Sequence, residues 1–213
     1  APTKGACDRV GVLPVALAAA AVLVGVGVAA VRALYDRHVR VARAVSRGPR
    51  VSIRDAAEGQ SVLVSGRILA PEQRLTSLFT GRRCVAYRVM VAGPTPRTRT
   101  DIIYEHGESL DFVIEDATGT AVVTTDGALL SLAKEQLSAE QLSGALATVP
   151  RDQIVDYGPD DLKCHEGLLR DGDRVFVRGV ARWEADPAGT PSHYRESPKR
   201  LRLVAPVYIS NRH

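Results

Sequence analysis

The sequence predicts a mainly β (α+β) domain that is preceded by a single membrane-spanning helix. Residues 10–31, VGVLPVALAAAAVLVGVGVAAV, carry no charged or strongly polar side chain. After residue 50 the periodicity changes, because short runs of Val, Ile and Tyr alternate with polar residues and end at Gly, Pro or Asp. One stretch, about 128–150, returns to helical spacing. Period-two alternation is typical of strands, so strands dominate the part after residue 50.

The apolar stretch is long enough to cross a bilayer. Its 22 residues would extend roughly 33 Å as an α-helix, against a hydrocarbon core of about 30 Å. The competing interpretation is a cleaved signal peptide, with Lys4 and Arg9 as its basic leader and residues 28–30 as small residues for a peptidase. Signal-peptide apolar regions are shorter, about 7–15 residues, which favours the anchor. We therefore predict a tail at 1–9 and a span at 10–31.

A basic arm, residues 32–50, follows the predicted span. Its sequence from 31 to 46, VRALYDRHVRVARAVS, has apolar residues at helical spacing, and Gly48-Pro49 would end a helix there. A basic linker without helical structure is the alternative. Its six arginines are Arg32, Arg37, Arg40, Arg43, Arg47 and Arg50. Basic flanks stay on the cytoplasmic side, so the domain is predicted to be cytoplasmic; a short tail weakens this rule and leaves an extracytoplasmic domain as the alternative.

The positive charge of the chain belongs to the arm and not to the domain. The net charge is +4, yet residues 1–50 carry eight basic and two acidic side chains, while residues 51–213 carry 20 and 22. Anionic membrane lipid is therefore the expected partner of the arm. A nucleic-acid reader would be expected to carry a basic stripe on the domain itself, so no nucleic-acid partner is predicted.

The domain, residues 51–213, is predicted to be an OB-like small β-barrel with a helical insertion at about 128–150. Strands are expected at residues 61–69, 84–92, 101–106, 110–115, 120–125, 173–183 and 201–209. The turn residues His106-Gly107-Glu108 would join the third and fourth strands in a hairpin. A closed barrel pairs the strand edges that a flat sheet would expose. Two segments are typical of OB-like barrels: DFVIEDATGTAVV, with its Asp-Gly turn, and LLRDGDRVFVRGVA, with glycines that permit strong bending.

Two clusters of reactive side chains lack the spacing of an established site. Residues 164–166 join a thiol, an imidazole and a carboxylate, but neighbouring strand residues point to opposite faces, which separates the thiol from the imidazole. We expect Glu166 to have a local structural role. His106 with Glu105 and Glu108 could hold a metal weakly, but the five histidines show no ligand spacing. No catalytic residue, cofactor or metal is predicted.

The cysteines and aromatic residues give two further candidates. Three cysteines without CxxC spacing predict unpaired thiols: Cys7, Cys84 and Cys164. Cys84 follows Arg82 and Arg83, whose charges would lower the thiol pKa if they lay close, although a buried and inert thiol is favoured. Tyr87 and Trp183 could line a peptide groove, but aromatic residues at alternating strand positions more often belong to a core.

The order of these segments resembles the GIDE domain, also called the BAM ("beside a membrane") domain. The resemblance is carried by GRILAPEQRLTSLFTGRRCVAYRV at 66–89, by DFVIEDATGTAVV at 111–123, and by HEGLLRDGDRVFVRGVA at 165–181. This domain is the middle part of mitochondrial outer-membrane E3 ubiquitin ligases, and it occurs by itself in bacterial and archaeal membrane proteins. The family motif and the aromatic positions together give these candidate binding residues: Arg82, Arg83, Cys84, Tyr87, Asp116, Gly119, Glu166, Gly172 and Trp183.

The chain departs from those ligases in the part that transfers ubiquitin. Their RING needs eight Cys or His ligands for two zinc ions, whereas Cys164 is the only cysteine after Cys84. The sequence therefore favours a non-enzyme of the bacterial type: a single-span membrane protein whose domain is a binding or scaffolding module for an unidentified protein partner. The alternative is the substrate-recognition part of a membrane quality-control assembly. A catalytic domain with an unrecognised site is a third possibility.

Overall fold

The computed structural model describes residues 40–47, 50–94, 101–186 and 198–211. The predicted tail, the predicted span and the first part of the basic arm lie outside these ranges. The chain divides into two units between Arg40 and Val41, and all the strands belong to the second unit. None of the helices formed by the described residues combines the length and the apolar character needed to cross a membrane.

The described residues form short helices and many strands. The helices are α1 (residues 40–46), α2 (Ala139–Ala147) and α3 (Arg151–Ile154), with a 3₁₀ turn at Pro159–Asp161. The strands are β1 (Ser61–Ile68), β2 (Leu75–Thr76), β3 (Arg83–Cys84), β4 (Ala86–Gly93), β5 (Asp101–Ser109), β6 (Phe112–Asp116), β7 (Gly119–Val123), β8 (Leu129–Ser131), β9 (Lys134–Gln136), β10 (Lys163–Leu169), β11 (Arg174–Ala185) and β12 (Lys199–Ser210).

Five strands close into a barrel. They pair in the order β1-β6-β7-β12-β11, and β11 pairs again with β1. Every neighbouring pair is antiparallel except β7 and β12, which are parallel. Alternate residues of β1 point inward: Val62, Val64 and Ile68 are buried in the core that fills the barrel. At Gly66 a Cβ atom would lie 2.7 Å from the carbonyl oxygen of Glu115, so only glycine lets β6 approach β1 here.

A second sheet accompanies the barrel. Its four strands are antiparallel in the order β5-β4-β10-β9, and β10 also contacts α2. A second hydrophobic core, which includes Tyr87, Val91 and Cys164, lies on this sheet. The chain passes from β10 into barrel strand β11 through a tight turn at Gly172, whose φ of +79° is a left-handed conformation that favours glycine. The short turn fixes the second sheet next to the barrel.

A strap at residues 50–60 crosses the barrel and is held by the β6–β7 turn. The Asp116 carboxylate accepts hydrogen bonds from the backbone N–H groups of Ile53 (2.8 Å), Thr118 (2.7 Å) and Gly119 (3.1 Å), and from the Thr118 hydroxyl (2.6 Å). The Arg54 N–H donates to the Thr118 hydroxyl oxygen at 3.1 Å. The side chain of Ile53 is buried in the barrel core. Asp116 therefore makes its own turn and also ties the strap to the barrel.

The structure confirms several sequence predictions. The domain is mainly β, a closed five-stranded barrel is present, and the segment at 111–123 is a strand, a turn and a returning strand. The last predicted strand, 201–209, lies within β12, and the glycine turn before β11 is present.

Two predictions were wrong. The expected hairpin between 101–106 and 110–115 does not form, because β5 continues through Gly107 and pairs with β4, whereas β6 pairs with β1 and β7. The insertion at about 128–150 is only partly helical, because residues 129–131 and 134–136 form β8 and β9. In both cases pairing with another strand outweighs the local pattern.

We expect Asp116→Asn to lower the free energy of unfolding by about 1–3 kcal/mol, since hydrogen bonds to a charged group are the stronger ones. Burial alone would raise the pKa of this carboxyl group, but the hydrogen bonds from Thr118, Ile53 and Gly119 outweigh it, and the pKa lies below its ordinary value of 3.8. The contribution is therefore present above about pH 3.8 and is lost as the pH falls through the lower folded-state pKa. Urea unfolding at several pH values measures it.

The matched control is Asp126→Asn, because Asp126 is an exposed aspartate in the loop after β7. This variant should unfold within about 0.5 kcal/mol of the parent. An Asp116→Asn variant as stable as this control would contradict the role given to the Asp116 carboxylate.

Candidate functional site

A buried carboxylate on β10 organises the loop between β2 and β3. Glu166 is 4% exposed. One of its oxygens accepts a hydrogen bond from the Thr80 N–H at 3.3 Å, and the other accepts a short hydrogen bond from the Thr80 hydroxyl. Within the loop, the Ser77 and Thr80 hydroxyls lie 3.0 Å apart, and the Ser77 hydroxyl oxygen accepts the Arg82 N–H at 3.1 Å. Glu166 thus gives the loop at 77–82 a fixed position over the second sheet.

A pocket of about 290 Å³ opens beside this loop, where β10 turns into β11. The guanidinium groups that line it belong to Arg82, Arg170 and Arg174. The carboxylates that line it belong to Glu135, Glu166 and Asp173. Leu168 and Ala133 supply an apolar wall, and Asn211 closes the remaining side. The formal charges of the lining therefore balance.

The Asn211 side chain and the close packing at Gly167 hold the pocket wall in place. The Asn211 side chain accepts the Ala133 N–H at 2.7 Å and donates to the Leu168 carbonyl at 3.2 Å. A Cβ atom at Gly167 would lie 2.8 Å from Leu132 Cβ, so a glycine is needed for this close packing. The chain that follows β12 is thereby joined to both β10 and the segment before β9.

Of the nine sequence candidates, the structure brings Arg82 and Glu166 together in the pocket lining. Arg83 is exposed and is outside that lining. Cys84 and Tyr87 are 2% and 3% exposed and belong to the second core. The core assignment that sequence periodicity favours for Tyr87 is therefore correct.

The other four candidates have structural roles on or beside the barrel. Asp116 and Gly119 form the β6–β7 turn, and Gly172 forms the β10–β11 turn. The indole N–H of Trp183 donates to the Ala56 carbonyl at 2.8 Å, and its backbone N–H donates to Glu58 at 2.6 Å. Trp183 thus fastens the strap instead of lining a groove.

The described thiols are poor nucleophiles. Burial, followed by the charges of Glu166 and Glu108, raises the pKa of Cys84 to about 11. Burial raises the pKa of Cys164 to about 11 as well. A thiol with such a pKa stays protonated at neutral pH, and the thiolate is the reactive form. The favoured interpretation of Cys84 as a buried thiol is confirmed.

The histidine clusters form no metal centre within the described ranges. No group of three His, Cys, Asp or Glu side chains there could hold a metal ion. His106 lies 3.2 Å from Glu108, a contact of two exposed side chains. Burial, and then the charges of Lys134 and Lys163, lowers the pKa of His165 below its ordinary value of 6.5, which favours the neutral imidazole at neutral pH.

Sequence reasoning missed Arg170, Arg174 and Asn211. The two arginines flank the Gly172 turn in LLRDGDRV, and this spacing could have placed both at one end of the barrel. Asn211 carries no local signal, because its role depends on Ala133 and Leu168, which are distant in sequence.

Comparison with known proteins does not identify the chain: no family model, no curated protein and no solved structure matches it. The resemblance to the GIDE domain stays a prediction.

We expect Glu166→Ala to lower the free energy of unfolding by about 2–3 kcal/mol and to increase hydrogen exchange in the loop at 77–82, because Thr80 loses both acceptors. Glu135→Ala is the matched control. Glu135 pairs with Glu166 in the β9–β10 register, but its side chain is 73% exposed. Its loss should change stability by less than about 0.5 kcal/mol. Equal effects of the two substitutions would contradict the anchoring role of Glu166.

Proposed function

We propose that the chain is a single-span membrane protein of the GIDE type, whose OB-like domain is a non-catalytic binding module on the cytoplasmic side of the membrane. Anionic lipid is the proposed partner of the basic arm, and an acidic group of a second molecule is the proposed partner of the domain. The observation that carries the proposal is the attachment of the end of the arm to the barrel by Arg178.

The strand order supports the OB-like part of the proposal. Numbered along the chain, the five barrel strands β1, β6, β7, β11 and β12 pair in the order 1-2-3-5-4-1, with the third and fifth strands parallel. This is the Greek-key order of the OB barrel, a fold that presents binding surfaces on its strands and loops. The helices α2 and α3 lie in the connection between the third and fourth barrel strands.

Arg178 lies on the outer face of β11 and binds the end of α1. Its guanidinium donates to the Ala44 carbonyl at 2.9 Å and to the Arg47 carbonyl at 2.5 Å, while its Nε donates to the Ser61 hydroxyl at 3.2 Å. The last carbonyls of a helix have no partner within the helix and carry partial negative charge, so a guanidinium is well suited to them. The barrel therefore holds the last turn of α1 directly.

The same outer face is covered by the residues that follow α1. The Val51 N–H donates to the Leu63 carbonyl at 3.0 Å, and the Arg50 guanidinium stacks over the Phe176 ring at 4.6 Å. Leu63 and Phe176 point away from the barrel core, yet they are 3% and 4% exposed. The end of the arm is thus a packed part of the domain rather than a free linker.

The arm keeps its basic side chains available. Arg43 lies on α1 and Arg47 directly follows it; both are exposed, and the Arg47 N–H donates to the Arg43 carbonyl at 3.1 Å, which continues the last helical turn. Val41 is fully buried and lies two residues from Arg43. Basic residues near an anionic leaflet contribute on the order of 1 kcal/mol each. Nine residues lie between Val31 and Val41, so fully extended chain between them would reach at most about 35 Å.

Removing the Arg178 side chain tests the attachment. Arg178→Ala should increase hydrogen exchange of residues 41–47 by about tenfold, because the final carbonyls of α1 lose a charged donor. Arg182→Ala is the matched control, since Arg182 lies on the same strand, is 63% exposed and makes an ion pair with the strap residue Glu58 at 3.6 Å. Unchanged exchange in the Arg178 variant would remove the main support for a domain fixed to the arm.

Cysteine labelling tests the anchor and the orientation together. Ala70 is exposed, so the thiol introduced by Ala70→Cys should react with an impermeant maleimide added from the cytoplasmic side of closed vesicles, while Cys7 should react from the opposite side. The native Cys84 and Cys164 are buried, with pKa values of about 11, and should not react with the maleimide.

The control for this labelling is the parent chain, which has Ala70 and therefore no thiol at that position. Labelling of the introduced thiol only from the extracytoplasmic side would overturn the orientation. Loss of Cys7 from mature chains would favour signal cleavage over the anchor.

A further inference from the structure

We propose that the pocket between the loop at 77–82 and the β10–β11 turn binds a carboxylate group that carries a short aliphatic segment. This inference rests on the proposed binding function and names the chemistry of its ligand. The pocket measures about 290 Å³, at the small end of the range for ligand sites, so it fits a small acid or the end of a chain and not a large cofactor.

The pocket has unused hydrogen-bond donors. Each guanidinium offers five N–H donors. Arg82 uses one for Glu135 and Arg174 uses its Nε for Ser65, both at 3.3 Å. For the Arg170 guanidinium the structure shows no hydrogen bond or ion pair with any described residue. Most of the donor capacity therefore faces the pocket or solvent.

The acidic side chains of the lining keep their negative charges, but neutral donors already occupy acceptor oxygens of Glu166 and Asp173. Both oxygens of Glu166 accept hydrogen bonds from Thr80. One oxygen of Asp173 accepts the backbone N–H of Arg170 at 2.8 Å, which shapes the turn. A ligand that complements the unused guanidinium donors brings acceptors, and a carboxylate matches the planar fork of a guanidinium with two parallel hydrogen bonds.

Glu135 lies at the pocket rim, where its carboxylate would compete with a ligand carboxylate for the Arg82 guanidinium. Its side chain is 73% exposed and lies 3.3 Å from the Arg82 guanidinium, which is 45% exposed. Such an exposed pair contributes little to stability, about 0.2–1 kcal/mol, so a ligand carboxylate can replace it at low cost. The contact also shows how Arg82 would hold a carboxylate oxygen.

The apolar wall selects what is attached to the carboxylate. Leu168 and Ala133 line the pocket next to the arginines. A carboxylate with an aliphatic group can occur as a free small acid or as the C-terminus of a polypeptide that ends in an apolar residue. The two sources share their chemistry and differ in the chain beyond the pocket.

The test titrates the full chain in detergent micelles and follows the backbone NMR signals of Gly81 and Asn211. The probes are isovalerate and a tetrapeptide with C-terminal leucine, each compared with its amide, and inorganic phosphate. Both acids should bind, and the amides should bind at least about tenfold more weakly. Tetrapeptide binding tighter than that of isovalerate assigns the source to a chain terminus, and the reverse order assigns it to a small acid.

Three variants separate direct contact from a general effect on the fold. Arg170→Ala should weaken isovalerate binding by about tenfold, the value of one charge-assisted hydrogen bond. Glu135→Gln should tighten it by about two- to fivefold, because the competitor for Arg82 is gone. Arg151→Ala, in which an exposed arginine of α3 outside the lining is removed, should leave it unchanged. Thermal unfolding of each variant checks that the fold is intact.

Amides that bind as well as the acids, phosphate that binds more tightly than isovalerate, or an Arg170→Ala variant with unchanged affinity would each overturn the carboxylate site. None of these results bears on the anchor or its orientation, which the cysteine labelling reports independently.

Discussion

Strand β11 pairs with two barrel strands at once, and the rest of the domain depends on this double pairing. Its 12 residues run antiparallel to β1 on one side and to β12 on the other, which closes the sheet and leaves the barrel without a free edge. Residues 174–180 pair with β1 and residues 176–185 pair with β12, so the middle of the strand is hydrogen-bonded to both neighbours. A register shift beside Gly179 lets one strand serve both neighbours.

Closure also determines where the outer side chains of β11 can act. Arg178 faces outward opposite Leu63, and there it reaches the end of α1. Arg174, four residues earlier, lies opposite Arg67. At this end of the strand the Gly172 turn connects β11 to the second sheet, and Arg174 lines the pocket there. One strand thus positions both the attachment of the arm and one wall of the pocket. A change in its register would displace both together.

The carboxylates of Asp116 and Glu166 each bind a segment that is distant in the chain. The sequence therefore predicts their roles only in part. The motif DATG alone assigns Asp116 to its turn, but its bond to Ile53 crosses 63 residues and has no local signal. The sequence predicts a local role for Glu166, whereas its partner Thr80 lies 86 residues away. Turn chemistry depends on neighbours in sequence and is predictable. The partner of a buried charged side chain depends on the fold, so it cannot be predicted from the pattern of one segment.

The same distinction explains which parts of the fold the sequence indicates. The strands at 61–69, 120–125 and 201–209 are identifiable because each is a short run rich in aliphatic and β-branched residues. The leucines of residues 129–136 fit helical spacing, but pairing of β8 with β12 and of β9 with β10 makes these residues strands. Gly107 has the character of a turn residue, yet β5 continues through it and pairs with β4. Glycine permits the close approach of the two strands, because a Cβ atom there would lie 2.8 Å from the Tyr87 carbonyl oxygen.

Most of the residues that the sequence pattern singles out stabilise the fold. The residues that bind a ligand are therefore expected at other positions. Asp116, Gly172 and Trp183 are each accounted for by a turn or a strap contact, so their chemical character needs no ligand to explain it. The Arg170 guanidinium is different, because its position follows from the turn but none of its described contacts uses its donors. A charged group that lines a pocket and has no partner among the described contacts is a good candidate for binding a ligand.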